Sequence, residues 1–288
     1  NPLPTVEIQQ FAGNPFAEVC SGGTGVYLAN LGNPTPGGSV NSYSWSVSPA
    51  APITLAGQSG DVSGRRRAEI VFPPNMGTAP VMYTVELTIE DANGCVNTAT
   101  QVVEVRPELK LAFDFKNPPG FANNEICNGG TVDIDLDVLP GQEVFYSEGS
   151  DYEIRNVIVR HRTASASSFV AGYGPVSGGT LNSGDVISGV NETLSHSEAE
   201  PVLIQYNFVL EDLVCGTQDF RSVVVEVRPE LKLAFDFSAP PGFANNALCN
   251  GSTVDIGVDA LPAQAALYGL GSDYQVEVVV VRHQVGSS

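Results

Sequence analysis

Positive charge is scarce in this 288-residue chain: 13 lysines and arginines stand against 32 aspartates and glutamates, giving a net charge of -19. A polyanionic nucleic acid would be repelled by such a surface, and the one basic run is Arg65-Arg66-Arg67. An exposed loop run, or a grip on an acidic neighbour, are its two readings. Long apolar runs are missing too. The longest, around Val278-Val279-Val280-Val281, stops at Arg282, far short of the ~18 residues that span a bilayer. No initiator Met and no charged-then-apolar leader opens the chain, which therefore reads as a processed or excerpted segment. There are three histidines, and no Gly-x-Ser-x-Gly elbow or zinc-type His-Glu pair occurs. Gly22-Gly23-Thr24-Gly25 precedes a strand pattern rather than a helix, so it carries no nucleotide signal. A catalyst is not expected.

What remains is enough to fold. Apolar residues make up 42% of the chain, which supports packed cores and excludes a disordered acidic tail. Charged residues reach only 16%, and the lysines are confined to Lys110, Lys116 and Lys232. Such a surface suits an extracellular setting, salty surroundings or divalent cations, without choosing among them.

The chain repeats itself. Residues 102–115 read VVEVRPELKLAFDF, and the same fourteen letters return at 224–237, displaced by 122. The match runs on through PPGFANN, CNGGTVDI against CNGSTVDI, and GSDY, to Val-Arg-His at 159–161 and 281–283. A more distant copy opens the chain, where Cys20-Ser-Gly-Gly-Thr24 parallels Cys127-Asn-Gly-Gly-Thr131 and Cys249-Asn-Gly-Ser-Thr253. Tyr83–Asp91 with Cys95 likewise parallels Tyr206–Asp212 with Cys215. The expected modules are 1–106, 107–228 and 229–288, the last holding only the first half of the pattern.

Strand periodicity dominates. Leu109–Phe115, Thr131–Val138, Tyr83–Ile89 and Val102–Val105 alternate large apolar with small or polar residues, the period-2 mark of half-buried strands. Turn clusters such as Asn117-Pro118-Pro119-Gly120 and Asn182-Ser183-Gly184 separate them. Several short strands per ~100–120 residues imply an antiparallel β-sandwich. Only Pro107-Glu108 lies between the last strand of the first module, taken as Val102–Arg106, and the first of the second, Leu109–Phe115. Proline restricts this connector, so modules stacked end to end as a semi-rigid rod are expected.

Cys20 and Cys95, then Cys127 and Cys215, recur at matching places, which reads as one disulfide inside each complete module, with Cys249 unpaired in this segment. Free buried thiols and a metal site are the competing readings. A tension is visible: in a simple sandwich the turn before the second strand and the turn before the last lie at opposite ends, and the stretch from Lys116 to Cys127 would have to carry the first cysteine back across.

Other residue types have plainer alternatives. Glu90-Asp91 and Glu211-Asp212 are candidates for a loop Ca²⁺, against turn-forming acids. Asp133, Asp135 and Asp137 share one strand face and read as solvated. His161 and His283 read as structural. Tyr146, Tyr152, Tyr268 and Tyr274 could form a sugar-stacking platform, but half-packed strand positions fit them better.

Ser42-Tyr43-Ser44-Trp45, followed by Tyr83-Thr-Val-Glu-Leu-Thr-Ile-Glu-Asp91-Ala-Asn-Gly-Cys95, resembles the PKD-type immunoglobulin-like repeat. The cysteine-bearing variant of secreted and surface proteins of Bacteroidota, gliding adhesins included, is the most similar. The later modules lack the Tyr-x-Trp pair. The resemblance implies an all-β chain of tandem antiparallel immunoglobulin-like (PKD-like) sandwiches arranged end to end, non-enzymatic and without a required cofactor. It further implies an extracellular, bacterial adhesin, stalk or filament. Its partners would be further modules or neighbouring copies, with surface glycans as a further class. The alternatives are a filament subunit completed through the half module and a carbohydrate-binding appendage of a secreted hydrolase.

Overall fold

A computed structural model describes residues 5–11, 17–30, 40–56, 66–117, 124–239, 255–265, 267–268 and 274–277. Among these, eighteen strands and one short helical turn, α1 (Pro262–Ala265), are defined. The chain is all-β.

The first repeat contributes β1 (Glu7–Gln10), β2 (Glu18–Val19), β3 (Thr24–Asn30), β4 (Val40–Ser48), β5 (Ile53–Ala56), β6 (Arg67–Val71), β7 (Val81–Asp91) and β8 (Val96–Val105). They form two sheets, β1-β3-β6-β5 and β2-β8-β7-β4. Lettered A to G, that is A-B-E-D in one sheet and G-F-C in the other, with the first strand split so that β2 pairs in parallel with the end of β8. This is the strand arrangement of an immunoglobulin-like sandwich.

Alternation explains the core. Along β7 the side chains of Tyr83, Val85, Leu87 and Ile89 point inward while Thr84, Glu86 and Thr88 point away. Each such aliphatic side chain contributes roughly 1.5–3 kcal/mol on burial. Tyr43 and Trp45 face the same core from β4, and Phe72 packs edge-on to Tyr83 with ring centroids 5.1 Å apart. The Tyr-x-Trp pair is therefore a core feature.

The second repeat contributes β9 (Leu111–Asn117), β10 (Glu125–Cys127), β11 (Gly130–Val138), β12 (Tyr152–Thr163), β13 (Val170–Ala171), β14 (Gly189–Leu194), β15 (Val202–Asp212) and β16 (Gln218–Arg228). Its sheets run β10-β16-β15-β12-β13 and β14-β11-β9, the same scheme with an added β13 and no counterpart of β5. β10 again pairs in parallel with the end of β16. In the third repeat β17 (Leu233–Ala239) pairs with β18 (Asp255–Ala260) as a two-stranded sheet.

Clustering of the backbone divides the chain into two compact units. One comprises Asn1–Phe113, Leu136–Arg155 and Val209–Arg221; the other comprises Asp114–Asp135, Asn156–Phe208 and Ser222–Ser288. The first unit thus takes in the loops joining β11 to β12 and β15 to β16, both drawn from the second repeat.

The second repeat binds its sheets with a polar pin. Glu192 on β14 is only 3% exposed, and its carboxylate accepts hydrogen bonds from the hydroxyls of Tyr173 (2.7 Å) and Tyr206 (2.8 Å). The Leu181 amide (3.0 Å) and the Thr180 amide and hydroxyl add three more. Burial pushes both phenols far above their ordinary pKa, with the adjoining carboxylate adding to it, so they remain donors. A buried carboxylate is costly unless so surrounded. Glu192→Ala should lower the urea-unfolding free energy by about 3 kcal/mol, because it strands several buried donors. Glu192→Gln should lose about 1 kcal/mol, since each tyrosine hydroxyl can turn to accept from the amide. Equal losses for the two variants would contradict this assignment.

Candidate functional site

The residues joining β8 to β9 are Arg106 to Lys110, and nearly every polar group among them is held. Arg106 lies at the centre. Its side chain is 5% exposed, and it pairs with Glu18 at the mouth of β2 and with Asp151 at 3.2 Å. The Tyr146 ring covers the guanidinium, 4.2 Å from Cζ to the ring centroid, a desolvated cation–π contact. Burial alone would lower the Arg106 pKa, but the hydrogen bond and charge of Glu18, the hydrogen bond to Asp151 and the charge of Asp212 outweigh it and raise it. The Ser147 amide first, and Arg106 after it, hold the Asp151 carboxyl below the usual carboxylate range. Burial pushes the Tyr146 phenol up to about 12.

Backbone capture completes the joint. The fully buried Gln142 amide donates to the Glu108 carbonyl (2.9 Å), and its oxygen accepts from the Lys110 amide (3.1 Å). Leu139 N–H donates to the Lys110 carbonyl (2.9 Å), and Leu111 N–H donates to Asp219 (2.9 Å). From the first repeat, the Asn75 carbonyl accepts from the Glu108 amide (3.2 Å), while the Asn75 side chain donates to the Val105 carbonyl (3.0 Å). The turn is therefore fixed by loops from both repeats.

A disulfide closes the same joint. Cys20 is bonded to Cys215, with a Cα separation of 5.7 Å across 195 residues of sequence. The expected pairing inside each module is thus corrected: neither Cys95 nor Cys127 is in a disulfide. The reason is the parallel pairing of β2. It sets Val19 beside Val105 at the end of β8, whereas Cys95 immediately precedes β8. At ~3.4 Å per residue the ten residues of β8 separate the two cysteines by about 30 Å. A disulfide tolerates only about 4.4–6.8 Å between Cα atoms. Cys215 sits in the β15–β16 hairpin, which the first compact unit includes. In the chain-entropy account a loop this long stabilises by about 5 kcal/mol.

The other candidates fall out as follows. Asp91 Oδ1 accepts from the amides of Asn93 and Cys95 (both 2.8 Å), and the Cys95 amide is the leading reason its carboxyl is held low. Asp212 Oδ1 accepts from Val214 (2.9 Å) and Cys215 (2.8 Å) in the same way. These carboxylates shape the cysteine-bearing hairpins; Glu90 and Glu211 beside them are half-buried. No cluster of three metal-ligating side chains occurs among the described residues. Asp135 and Asp137 lie on the exposed face of β11, Asp133 is half-buried, and Asp135 is 3.4 Å from Lys116. His161 bonds the Gly172 carbonyl at 2.8 Å within the β12–β13 hairpin. Arg66 donates to the Ala29 carbonyl and Arg67 covers the Phe11 ring, so this pair is tied to its own sandwich. Tyr146 and Tyr152 are 3% and 4% exposed, which removes them as a sugar platform. Cys249, His283 and Arg65 lie outside the described residues.

The joint recurs 122 residues further on. Arg228 pairs with Glu125 and faces the Tyr268 ring at 5.9 Å. The buried Gln264 donates to the Glu230 carbonyl (2.8 Å) and accepts from the Lys232 amide (2.9 Å). Leu261 N–H donates to the Lys232 carbonyl at 3.0 Å. From the sequence alone Tyr146 and Tyr268 stand out only as sugar-platform candidates, and Gln142, Gln264, Arg106 and Arg228 do not stand out, yet a signal for the joint exists. Gln142 and Tyr146 reappear as Gln264 and Tyr268, while Glu143, Val144 and Phe145 between them become Ala265, Ala266 and Leu267.

No protein-family model matches the chain, and no curated protein matches it. Among solved structures it is similar to the fibronectin(III)-like modules of Clostridium thermocellum CbhA (11% identity, 77% of this chain, 94% of that chain, TM-score 0.26). It is also similar to the C-terminal domain of the Streptococcus agalactiae AgI/II polypeptide BspA (10% identity, 78% and 100%, TM-score 0.34). A third is mouse cadherin-23 EC22-24 (13% identity, 82% and 71%, TM-score 0.40). At these scores the immunoglobulin-like assignment rests on the strand order itself. No helix among the described residues is long and apolar enough to cross a membrane.

Stability measured against pH tests the joint. The depressed Asp151 stabilises fully above the ~3.9 of an unfolded aspartate and loses that contribution as pH falls through its folded value. Wild-type stability should therefore fall in the acid limb below about pH 4. Arg106→Ala should lose roughly 2–3 kcal/mol at neutral pH, because it removes the charge-assisted hydrogen bonds to Glu18 and Asp151 and the packing under Tyr146, and should show a shallower acid limb. Arg106→Lys should recover little, lacking the fork that reaches two carboxylates and the flat face for Tyr146. Unchanged stability in Arg106→Ala would contradict the assignment.

Proposed function

We propose that this chain is a non-enzymatic structural segment of an extracellular adhesin, stalk or filament, in which immunoglobulin-like repeats transmit tension from one to the next. The observation that carries this reading is the covalent closure of the joint by Cys20–Cys215, spanning 195 residues. A disulfide that persists belongs to an oxidising compartment, which favours an exported protein. The repetition of the arginine, glutamine and tyrosine set at both joints supports an array in which one docking scheme is copied. The acidic, lysine-poor surface supports a solvated, non-aggregating array. The PKD-like, Bacteroidota character of the first repeat rests on its Tyr43-x-Trp45 and Tyr83–Cys95 segments, and the reading calls on no cofactor. A self-assembling filament is the second reading. It draws on the two-stranded β17–β18 sheet, whose Leu233 and Phe235 are 47% and 61% exposed and could be covered by strands of another copy.

Pulling on single molecules from both ends tests the mechanical reading. Unfolding of a chain with an open Cys20–Cys215 bond should release about 650 Å more length, at ~3.4 Å per residue over the closed loop. The oxidised protein should withhold that length, and reductant should restore it. Equal extension with and without reductant would contradict the reading.

A further inference from the structure

Cys127 repeats the setting of Cys20. Each lies at the end of a short strand that runs parallel to the end of its repeat's last strand: Cys20 directly after Val19, which sits beside Val105, and Cys127 as the last residue of β10, beside Arg228. Each opens a Cys-x-Gly-Gly turn with its first glycine in the left-handed region, φ 69° at Gly22 and 78° at Gly129. A Cβ on the second glycine, Gly23 or Gly130, would meet the cysteine carbonyl at 2.8 Å in both cases. Backbone geometry therefore places the two cysteines alike relative to their own sandwiches. The difference is that Cys20 is bonded, whereas Cys127 is an exposed free thiol.

The receiving side is repeated as well. Around Cys20, Arg106 pairs with Glu18 and is faced by Tyr146, and Gln142 captures the connector; around Cys127, Arg228 pairs with Glu125 and is faced by Tyr268, and Gln264 captures the connector. The third repeat therefore presents to the second two of the captures by which the second holds the first, the tyrosine facing the arginine and the glutamine holding the connector. In a complete repeat docked this way, the hairpin between the last two strands arrives where Cys215 arrives over Cys20. Cys249 is not that partner, because it is the third repeat's counterpart of Cys127 itself.

We propose that Cys127 is the first half of a second inter-repeat disulfide, closed by the hairpin cysteine of a following complete repeat of this type. Two thiols become one S–S bond. Their two electrons and two protons pass to a disulfide oxidant, oxidised glutathione or a protein dithiol oxidoreductase, which leaves as two thiols. Every joint of an array is then stapled between neighbours, and no repeat is closed upon itself.

The test completes the third repeat with this chain's own sequence: residues 1–283 followed by residues 162–228, the appended copy carrying Phe220→Leu so that its hairpin peptide is distinguishable by mass. After oxidation in a glutathione buffer, free thiols are alkylated and the protein is digested without reduction. The expected result is a Cys127 peptide linked to the marked hairpin peptide, with alkylation of Cys127 lost relative to the 288-residue chain. Cys127 still alkylated while Cys20–Cys215 has formed would overturn the proposal. The 288-residue chain supplies a second measurement that does not depend on the graft folding. There Cys127 should be alkylated in full, and a bond from it to Cys95, Cys215 or Cys249 would overturn the proposal equally.

Discussion

A guanidinium shielded from water requires counter-charges within a few ångströms, and Arg106 draws them from both sides of a sequence boundary. Glu18 comes from the first repeat and Asp151 from the second, with Tyr146 covering the flat face between them. Removing the second repeat would take away Asp151 and the Tyr146 cover together. The connector beneath it is equally dependent, because the amides of Glu108, Lys110 and Leu111 find their acceptors in Asn75, Gln142 and Asp219. Docking of successive repeats is thus a requirement of polar satisfaction, and Cys20–Cys215 makes it covalent.

This arrangement links local order to use. A flexible tether would let each sandwich unfold or rotate by itself, whereas a turn with its amides bound and its arginine buried resists both. The ionic part is exposed to acid through Asp151, and the covalent part to reductant, so the two reinforcements fail under different conditions. The covalent part persists over the wider range of pH.

Much of the fold could be read from the letters. The alternating stretches at Leu109–Phe115, Thr131–Val138 and Tyr83–Ile89 emerge as β9, β11 and β7, within a few residues at each end. Periodicity reports which face is buried, and the burial of Tyr83, Val85, Leu87 and Ile89 is that pattern realised. The cysteine pairing could not be read the same way. Matching positions suggested closure within a repeat, but a matched position says nothing about which pole of a sandwich it occupies. The parallel seating of Glu18–Val19 against Glu104–Val105 decides that, and it is a long-range contact with no periodic trace. Arg106 was hidden by looking like the last residue of a strand. The retention of Gln142 and Tyr146 in the third repeat, amid changed neighbours, was the available hint.

Peptide mapping of the unreduced protein addresses the central claim directly, because the four cysteines outside the third repeat fall on four different tryptic peptides: 1–65, 68–110, 117–155 and 163–221. The account requires 1–65 to be joined to 163–221, with the other two recovered as free thiols. Recovery of 1–65 joined to 68–110, together with 117–155 joined to 163–221, would return each disulfide to its own repeat and contradict it.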